Sequence, residues 1–356
     1  MIRPRLPRGV VPVLMTVFAD NGEVDLEAVQ YLLRHVTSQP VAGVMFPGFA
    51  SEFLKISAKE RDELETLFLA HMATQPHASA IVGVTDHCTE LAISTAQSAA
   101  SRGADLLNLL PPFAMAPNAA SVREHIEEVL AAVPDTPVLV QLAPALTGES
   151  ISTTALHDIA RRHRNFAGVK VETLPPGPLI SSLVHGSPRL DTYVGYAGLF
   201  LSSAVSRGAV GVQPSTGFVE IYIELWRLID QGDQIAFRTL QDRLTHYLLP
   251  WMQDIEIMIQ VEKTIALRRG LIGSDMCRRP HRTLDASIAS EIEGFLTEFS
   301  SYLTQGKLRG GRTNHAEPRD HSLSRPATGR TRPTRSPSYT DAPLDNETPR
   351  FRDTVR

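Results

Sequence analysis

The sequence predicts a (β/α)8 barrel, and three observations carry that expectation. Short β-branched runs alternate with longer amphipathic stretches, the short runs are continuously apolar, and no Gly-x-Gly-x-x-Gly follows the first of them. Continuous apolar runs suit parallel strands buried on both faces. Eight strand–helix units in a regular cycle favour a closed barrel over an open doubly wound sheet. The rival, a dinucleotide-binding sheet, requires the glycine fingerprint that is missing here.

Taken in order, the expected strands cover residues 10–17, 41–46, 80–84, 106–110, 138–142, 168–171, 192–195 and 210–213. Helical patterns lie between them at 26–37, 59–73, 90–101, 121–132, 154–164, 177–184 and 199–206. After the eighth strand, helical patterns continue at 221–230, 234–249, 256–269 and 287–303, more than one closing barrel helix requires. The expected organisation is therefore a barrel over 1–215, a C-terminal helical extension of the same domain over 216–305, and a tail over 306–356. The tail is rich in Arg, Pro and Ser and almost without large apolar residues, so it is expected to be disordered.

Composition narrows the function classes. The chain of 356 residues is 42% hydrophobic and 21% charged, ordinary for a folded globular protein. A formal net charge of −4 gives no electrostatic case for a nucleic-acid partner. No apolar run approaches the roughly 20 residues that span a bilayer. The apolar stretch near the start is too short for a signal peptide and has no small-residue cleavage site. Cys88 and Cys277 are far apart and suggest no disulfide framework, so a cytoplasmic protein with reduced thiols is expected.

In a barrel of this kind the reactive groups gather at the carboxyl ends of the strands. That rule selects Thr16, Gly48, Phe49, Ala50, Ser51, Glu52, Asp86, Phe113, Gln141, Lys170, Glu172, Tyr196 and Gln213. Lys170 is the most informative, because it places an ammonium at the end of the apolar run Phe166-Ala167-Gly168-Val169. Left unpaired, it would be desolvated and driven toward the neutral amine that adds to a ketone. Paired with Glu172 or Glu52, it would instead be structural. Position alone leaves both readings open. His87 and Cys88 beside Asp86 lack the spacing of a catalytic metal site, and neither metal nor cofactor is expected. The basic run from Arg161 to Arg164 ends a helix, where cations favour the dipole.

From about Gly9 to Leu303 the chain resembles the dihydrodipicolinate synthase and N-acetylneuraminate lyase family. Gly9-Val10-Val11-Pro12 through Thr16 is similar to the family's first strand and loop. Gly48-Phe49-Ala50-Ser51-Glu52 stands where the family has Gly-Thr-Thr-Gly-Glu, and Pro111-Pro112-Phe113-Ala114 where it has Pro-Pro-Tyr-Tyr. Pro144 with Thr147-Gly148, the lysine-bearing Gly168-Val169-Lys170, Gly208 with Gly211, and Arg279-Pro280 also fit, in the same order. The resemblance implies a class I aldolase-type enzyme whose Lys170 forms a Schiff base with pyruvate or a related 2-keto acid. It also implies a homo-oligomer, a tetramer or dimer.

The departures from the family pattern bear on what reaction is possible. The family's proton relay uses a hydroxyl in the Thr-Thr position, a tyrosine after strand four and a tyrosine ending strand five. Here Phe49 and Ala50, Ala114 and Gln141 hold those positions. Gln141 forms hydrogen bonds but has no titratable proton. The arginine that binds the second substrate's carboxylate in dihydrodipicolinate synthases is replaced by Leu146, which argues against that activity. Tyr196 is the nearest phenol that could substitute in proton transfer; the alternative is a packing or subunit-contact tyrosine. Phe49 and Phe113 point to an apolar pocket and an apolar aldehyde partner, or simply to packing. The backbone N–H groups of Phe49, Ala50 and Ser51 remain able to hold a keto-acid carboxylate, with Gly48, Phe113 and Gln213 completing the expected substrate-binding set. Glu52 reads as an anchor of its loop more readily than as an acid.

The sequence therefore supports a Schiff-base-forming lyase, an aldolase or dehydratase, with Lys170, Gln141 and Tyr196 at its centre. The alternative is a catalytically silent relative that binds a keto acid or serves as a structural or regulatory subunit. A phosphate-binding barrel is disfavoured, because the loops after strands seven and eight lack a basic group.

Overall fold

In the computed structural model, residues 3–148 and 151–306 are described. The expected tail lies outside them from residue 307 onward, as does the side chain of Leu146. The eight strands are β1 (Gly9–Val10), β2 (Gly43–Phe46), β3 (Ser79–Val84), β4 (Leu106–Leu109), β5 (Val138–Leu142), β6 (Phe166–Val171), β7 (Asp191–Val194) and β8 (Gly211–Val212). All pair in parallel, in the order β1-β8-β7-β6-β5-β4-β3-β2. The cycle closes through Val13, which bridges to Met45 on one side and to Ser215 on the other. The Leu14 N–H donates to Met45 O at 2.8 Å and the Met45 N–H to Pro12 O at 2.9 Å. The (β/α)8 barrel is thus the fold.

The first strand is shorter than the sequence suggests. The Val11 N–H still donates to Val212 O at 2.9 Å, but Pro214 has no N–H to return to Val11 O, so the regular ladder with β8 ends there and continues only as the bridges at Val13. Strand β6 starts earlier than expected, at Phe166, because a bulge opposite Val138 and Leu139 admits an extra residue.

Local signals start the helices. Asp25 accepts from the Ala28 N–H to cap Leu26–Thr37, Ser57 and Glu60 form a reciprocal capping box before Ala58–Met72, and Asn118 caps Ala119–Ala132. The extension after β8 contains Val219–Gln231, Gln234–Trp251, Ile255–Arg268 and Ala286–Glu298. Tyr247, Trp251, Phe295 and Phe299 pack there as one aromatic cluster, with ring centroids 4.8–6.1 Å apart.

What positions the site is the change of character along the barrel axis. Toward the amino ends of the strands the interior is filled by Leu6, Val11, Val13, Met45, Ile81, Leu106, Leu139, Ala167 and Tyr193. One step along the alternation the inward positions become Asn108, Gln141, Lys170 and then Glu172 and Gln213, all buried. Residues two apart on a strand share a face, so this polar layer sits on an apolar plug at the mouth where chemistry occurs in such barrels.

Candidate active site

Lys170 is the penultimate residue of β6, in register with Gln141 on β5 and Tyr193 on β7. Its ammonium is buried, and Glu172 Oε1 lies 3.5 Å from Nζ. That separation is too long for a charge-assisted hydrogen bond, which falls near 2.7–2.9 Å. Among the described residues, Glu172 is the only partner of the Lys170 ammonium.

The carboxylate of Glu172 is held far more firmly than the lysine. Gln141 Nε2 donates to Glu172 Oε2 at 2.6 Å, and Asn108 Nδ2 donates to Gln141 Oε1 at 2.8 Å. An ionised carboxylate only accepts. Gln141 must therefore turn its amide N–H toward Glu172, leaving its oxygen for Asn108. The Tyr196 N–H donates to Glu172 Oε1 at 3.3 Å. Gly195 completes the cradle, since a Cβ there would lie 2.0 Å from Glu172 Oε1. The turn that aims Tyr196 has three successive left-handed residues, Tyr196 (φ 50°), Ala197 (φ 48°) and Gly198 (φ 72°). Two non-glycine residues in that region are strained backbone, which persists only where the surroundings over-determine it.

The Tyr196 hydroxyl is buried without a hydrogen-bond partner among the described residues. Burial, and then the charge of Glu172, hold its pKa above the ordinary value, so the proton stays on oxygen at neutral pH. Tyr196 also lines a cleft of about 290 Å³ with Ala145, Leu174, Leu199, Phe200 and Met252, an apolar approach to the mouth. Gln213 is buried, with neither amide atom partnered among the described residues. A buried amide left without partners costs about 1–3 kcal/mol, which a bound polar ligand would recover.

The loop after β2 has a mixed outcome. The Gly48 N–H donates to Ser51 Oγ at 3.0 Å and the Ser51 N–H donates to Gly48 O at 2.9 Å. Ser51 is thus committed to its own loop. The N–H groups of Phe49 and Ala50, which open a short 3-10 turn, have no partner among the described residues. Ala50 packs on the interior cluster, while Phe49 stacks edge-on against Phe53 at 5.4 Å. Phe113 lies at 4.4 Å from the His87 ring, and His87 Nδ1 accepts from the Phe113 and Ala114 N–H groups. That bonding leaves His87 shaping the loop.

Glu52, the other carboxylate weighed for Lys170, is elsewhere engaged. It forms a short, fully buried pair with Lys263 and accepts from the Arg278 N–H at 3.1 Å. The sequence places Glu172 both among the groups at the strand ends and as a structural partner for the lysine, but does not single out Asn108 or give Gly195 a role beside the carboxylate. The signals existed: Glu172 shares the Lys170 face of β6, and Asn108 interrupts the apolar run Leu106-Leu107-Asn108-Leu109.

The family pattern of the dihydrodipicolinate synthetases matches residues 6–299. The chain belongs to that family. It is 27% identical over 292 residues to an uncharacterised DapA-like lyase of Halobacterium salinarum, covering 82% of this chain and 93% of the relative. It is 26% identical over 297 residues to the L-2-keto-3-deoxyarabonate dehydratase of Azospirillum brasilense, covering 80% and 92% respectively. The fold is similar to that of YagE from Escherichia coli, crystallised in complex with pyruvate, with a TM-score of 0.73 at 20% identity over 82% of this chain and 98% of that one. Among the described residues no helix is long and apolar enough to cross a membrane.

Proposed function

We propose that this member of the family is a lyase that forms a Schiff base between Lys170 and pyruvate or a related 2-keto acid. The observation that carries the reading is the buried Lys170 ammonium, with one partner at 3.5 Å and spare hydrogen-bonding capacity at the mouth of the barrel. An imine formed there is an electron sink, so a carbon–carbon or carbon–oxygen bond β to the nitrogen breaks or forms through the enamine. The free N–H groups of Phe49 and Ala50 suit the keto-acid carboxylate, and the unpartnered Gln213 amide is available to a further polar group of the substrate. The dehydratase relative and the pyruvate complex of YagE support this substrate class. Leu146, standing where a true dihydrodipicolinate synthase has its arginine, favours an aldolase or dehydratase of another substrate. A cytoplasmic homo-oligomer, a dimer or tetramer, accompanies this reading.

Reduction with borohydride in the presence of a panel of 2-keto acids, followed by peptide mapping, tests it. A mass increment on Lys170 is expected with at least pyruvate. Absence of any adduct on Lys170 across the panel would sink the reading in favour of a silent relative.

A further inference from the structure

We propose that Glu172 is the acid–base residue of this site, moving protons at the Lys170 nitrogen and at the oxygen that leaves as water. The assignment rests on the Schiff-base reading above and adds to it the group that makes the chemistry possible. Imine formation needs a base to take a proton from the ammonium and an acid to expel water. Gln141 has no titratable proton to offer. The Tyr196 phenol keeps its proton and has its backbone N–H, not its hydroxyl, turned toward the carboxylate. Among the described residues Glu172 is the titratable group in contact with the reacting nitrogen, with Oε1 3.5 Å from Nζ.

The surroundings read as a mount for this carboxylate. Oε2 is fixed by Gln141, which Asn108 fixes in turn, while Oε1 receives only the long contact from the Tyr196 N–H. One oxygen is therefore anchored and the other is free to exchange a proton with Nζ. The missing side chain at Gly195 is what allows Oε1 its position. A mere counter-ion for the lysine would be expected at hydrogen-bond distance, as Glu52 is to Lys263.

The step balances as follows. One proton passes from the Lys170 ammonium to Glu172, leaving a neutral amine and a neutral carboxyl. The amine lone pair forms a bond to the ketone carbon while the carbonyl π pair moves to oxygen, and a proton shifts from nitrogen to that oxygen. Glu172 then protonates the hydroxyl, the carbon–oxygen bond breaks, water departs and the nitrogen lone pair closes the C=N bond. The product is an iminium cation facing a regenerated carboxylate, the charge arrangement of the resting pair.

The test measures the rate at which pyruvate and cyanoborohydride label Lys170 in the full chain, normalised to folded protein. Glu172→Gln, whose amide oxygen still accepts from Gln141, is expected to label about 100-fold more slowly or worse, the usual value of general acid–base catalysis. Glu172→Ala is expected to be similarly slow and to recover severalfold with added formate, which a purely structural role would not allow. Labelling of folded Glu172→Gln at the wild-type rate overturns the assignment while leaving the Schiff base intact. Slow Glu172→Ala labelling without recovery by formate likewise overturns it, in favour of a positioning role. No labelling of the wild type removes the Schiff-base reading and this assignment together.

Discussion

Among the described residues, the buried pairs Lys263–Glu52 and Lys170–Glu172 differ in how completely the lysine is occupied. Lys263 forms a short contact with Glu52, donates to Met276 O at 2.9 Å and lies 4.5 Å from the centre of the Phe18 ring. Glu52 is shared further with Lys55 at 3.4 Å and the Arg278 N–H. Among the described residues Lys170 has Glu172 alone, at 3.5 Å. In the first pair every charge is spoken for, and the product is a clamp between the loop after β2 and the helix Ile255–Arg268. In the second the carboxylate is clamped and the lysine is not. A saturated ammonium anchors structure, whereas a buried ammonium with unspent donors costs free energy to hold and is retained where it reacts.

The largest expected contrast comes from replacing each lysine by methionine. Lys170→Met removes the nucleophile, so adduct formation at that position and any turnover should vanish in the folded protein, while losing a 3.5 Å contact costs Glu172, still held by Gln141, less stability than losing the short Lys263 contact costs Glu52. Lys263→Met leaves Glu52 buried without its main partner, a loss of about 3–5 kcal/mol, with labelling of Lys170 retained in the folded fraction. Thermal unfolding and adduct mass spectrometry on both variants separate the two roles. If Lys263→Met were neutral in stability, the comparison would break.

A third buried carboxyl sharpens it. Glu262 has no ion-pair partner among the described residues, and burial pushes its pKa up to about 8, with the Ser215 hydroxyl acting in the opposite direction. The folded state thus binds a proton that the unfolded chain, with a carboxyl near 4.5, has already released. The stability from this group is complete below that lower value and is lost as pH rises toward 8, by about 1.4 kcal/mol per pH unit in between. Denaturant unfolding of wild type and Glu262→Gln across pH 5–8 should show the slope in the difference between them. Equal pH dependence in both proteins would discount it.

The smallest effect is expected from Asn108→Ala. It leaves Gln141 Oε1 without a donor and should cost about 1–3 kcal/mol of stability, with a modest fall in the Lys170 labelling rate as the mount of Glu172 loosens. Labelling as slow as in Glu172→Gln would show that the amide chain matters more than the carboxylate it holds.

Much of this was legible along the chain because it depends on local period and on order. The apolar runs marked parallel strands, Lys170 stood out as a charge ending one of them, and Pro214, without an N–H, explains why the ladder between the first and last strands is brief. Other features are relations between strands. Glu172 and Lys170 share a face of one strand, so their pairing could be anticipated. That Glu52 would go instead to Lys263, 211 residues away, could not. Nor could the Asn108–Gln141–Glu172 chain, which needs three strands in register, or the use of Gly195 to admit a carboxylate from its neighbour.

By itself, then, the sequence determined the barrel and the family and singled out Lys170 as the proposed nucleophile, since each rests on spacing that a linear chain displays. The tertiary structure decided which carboxylate meets which lysine, how tightly, and which loop amides remain free. Those choices depend on distances of a few ångströms between residues remote in the chain, and electrostatic and hydrogen-bond energies vary steeply on that scale.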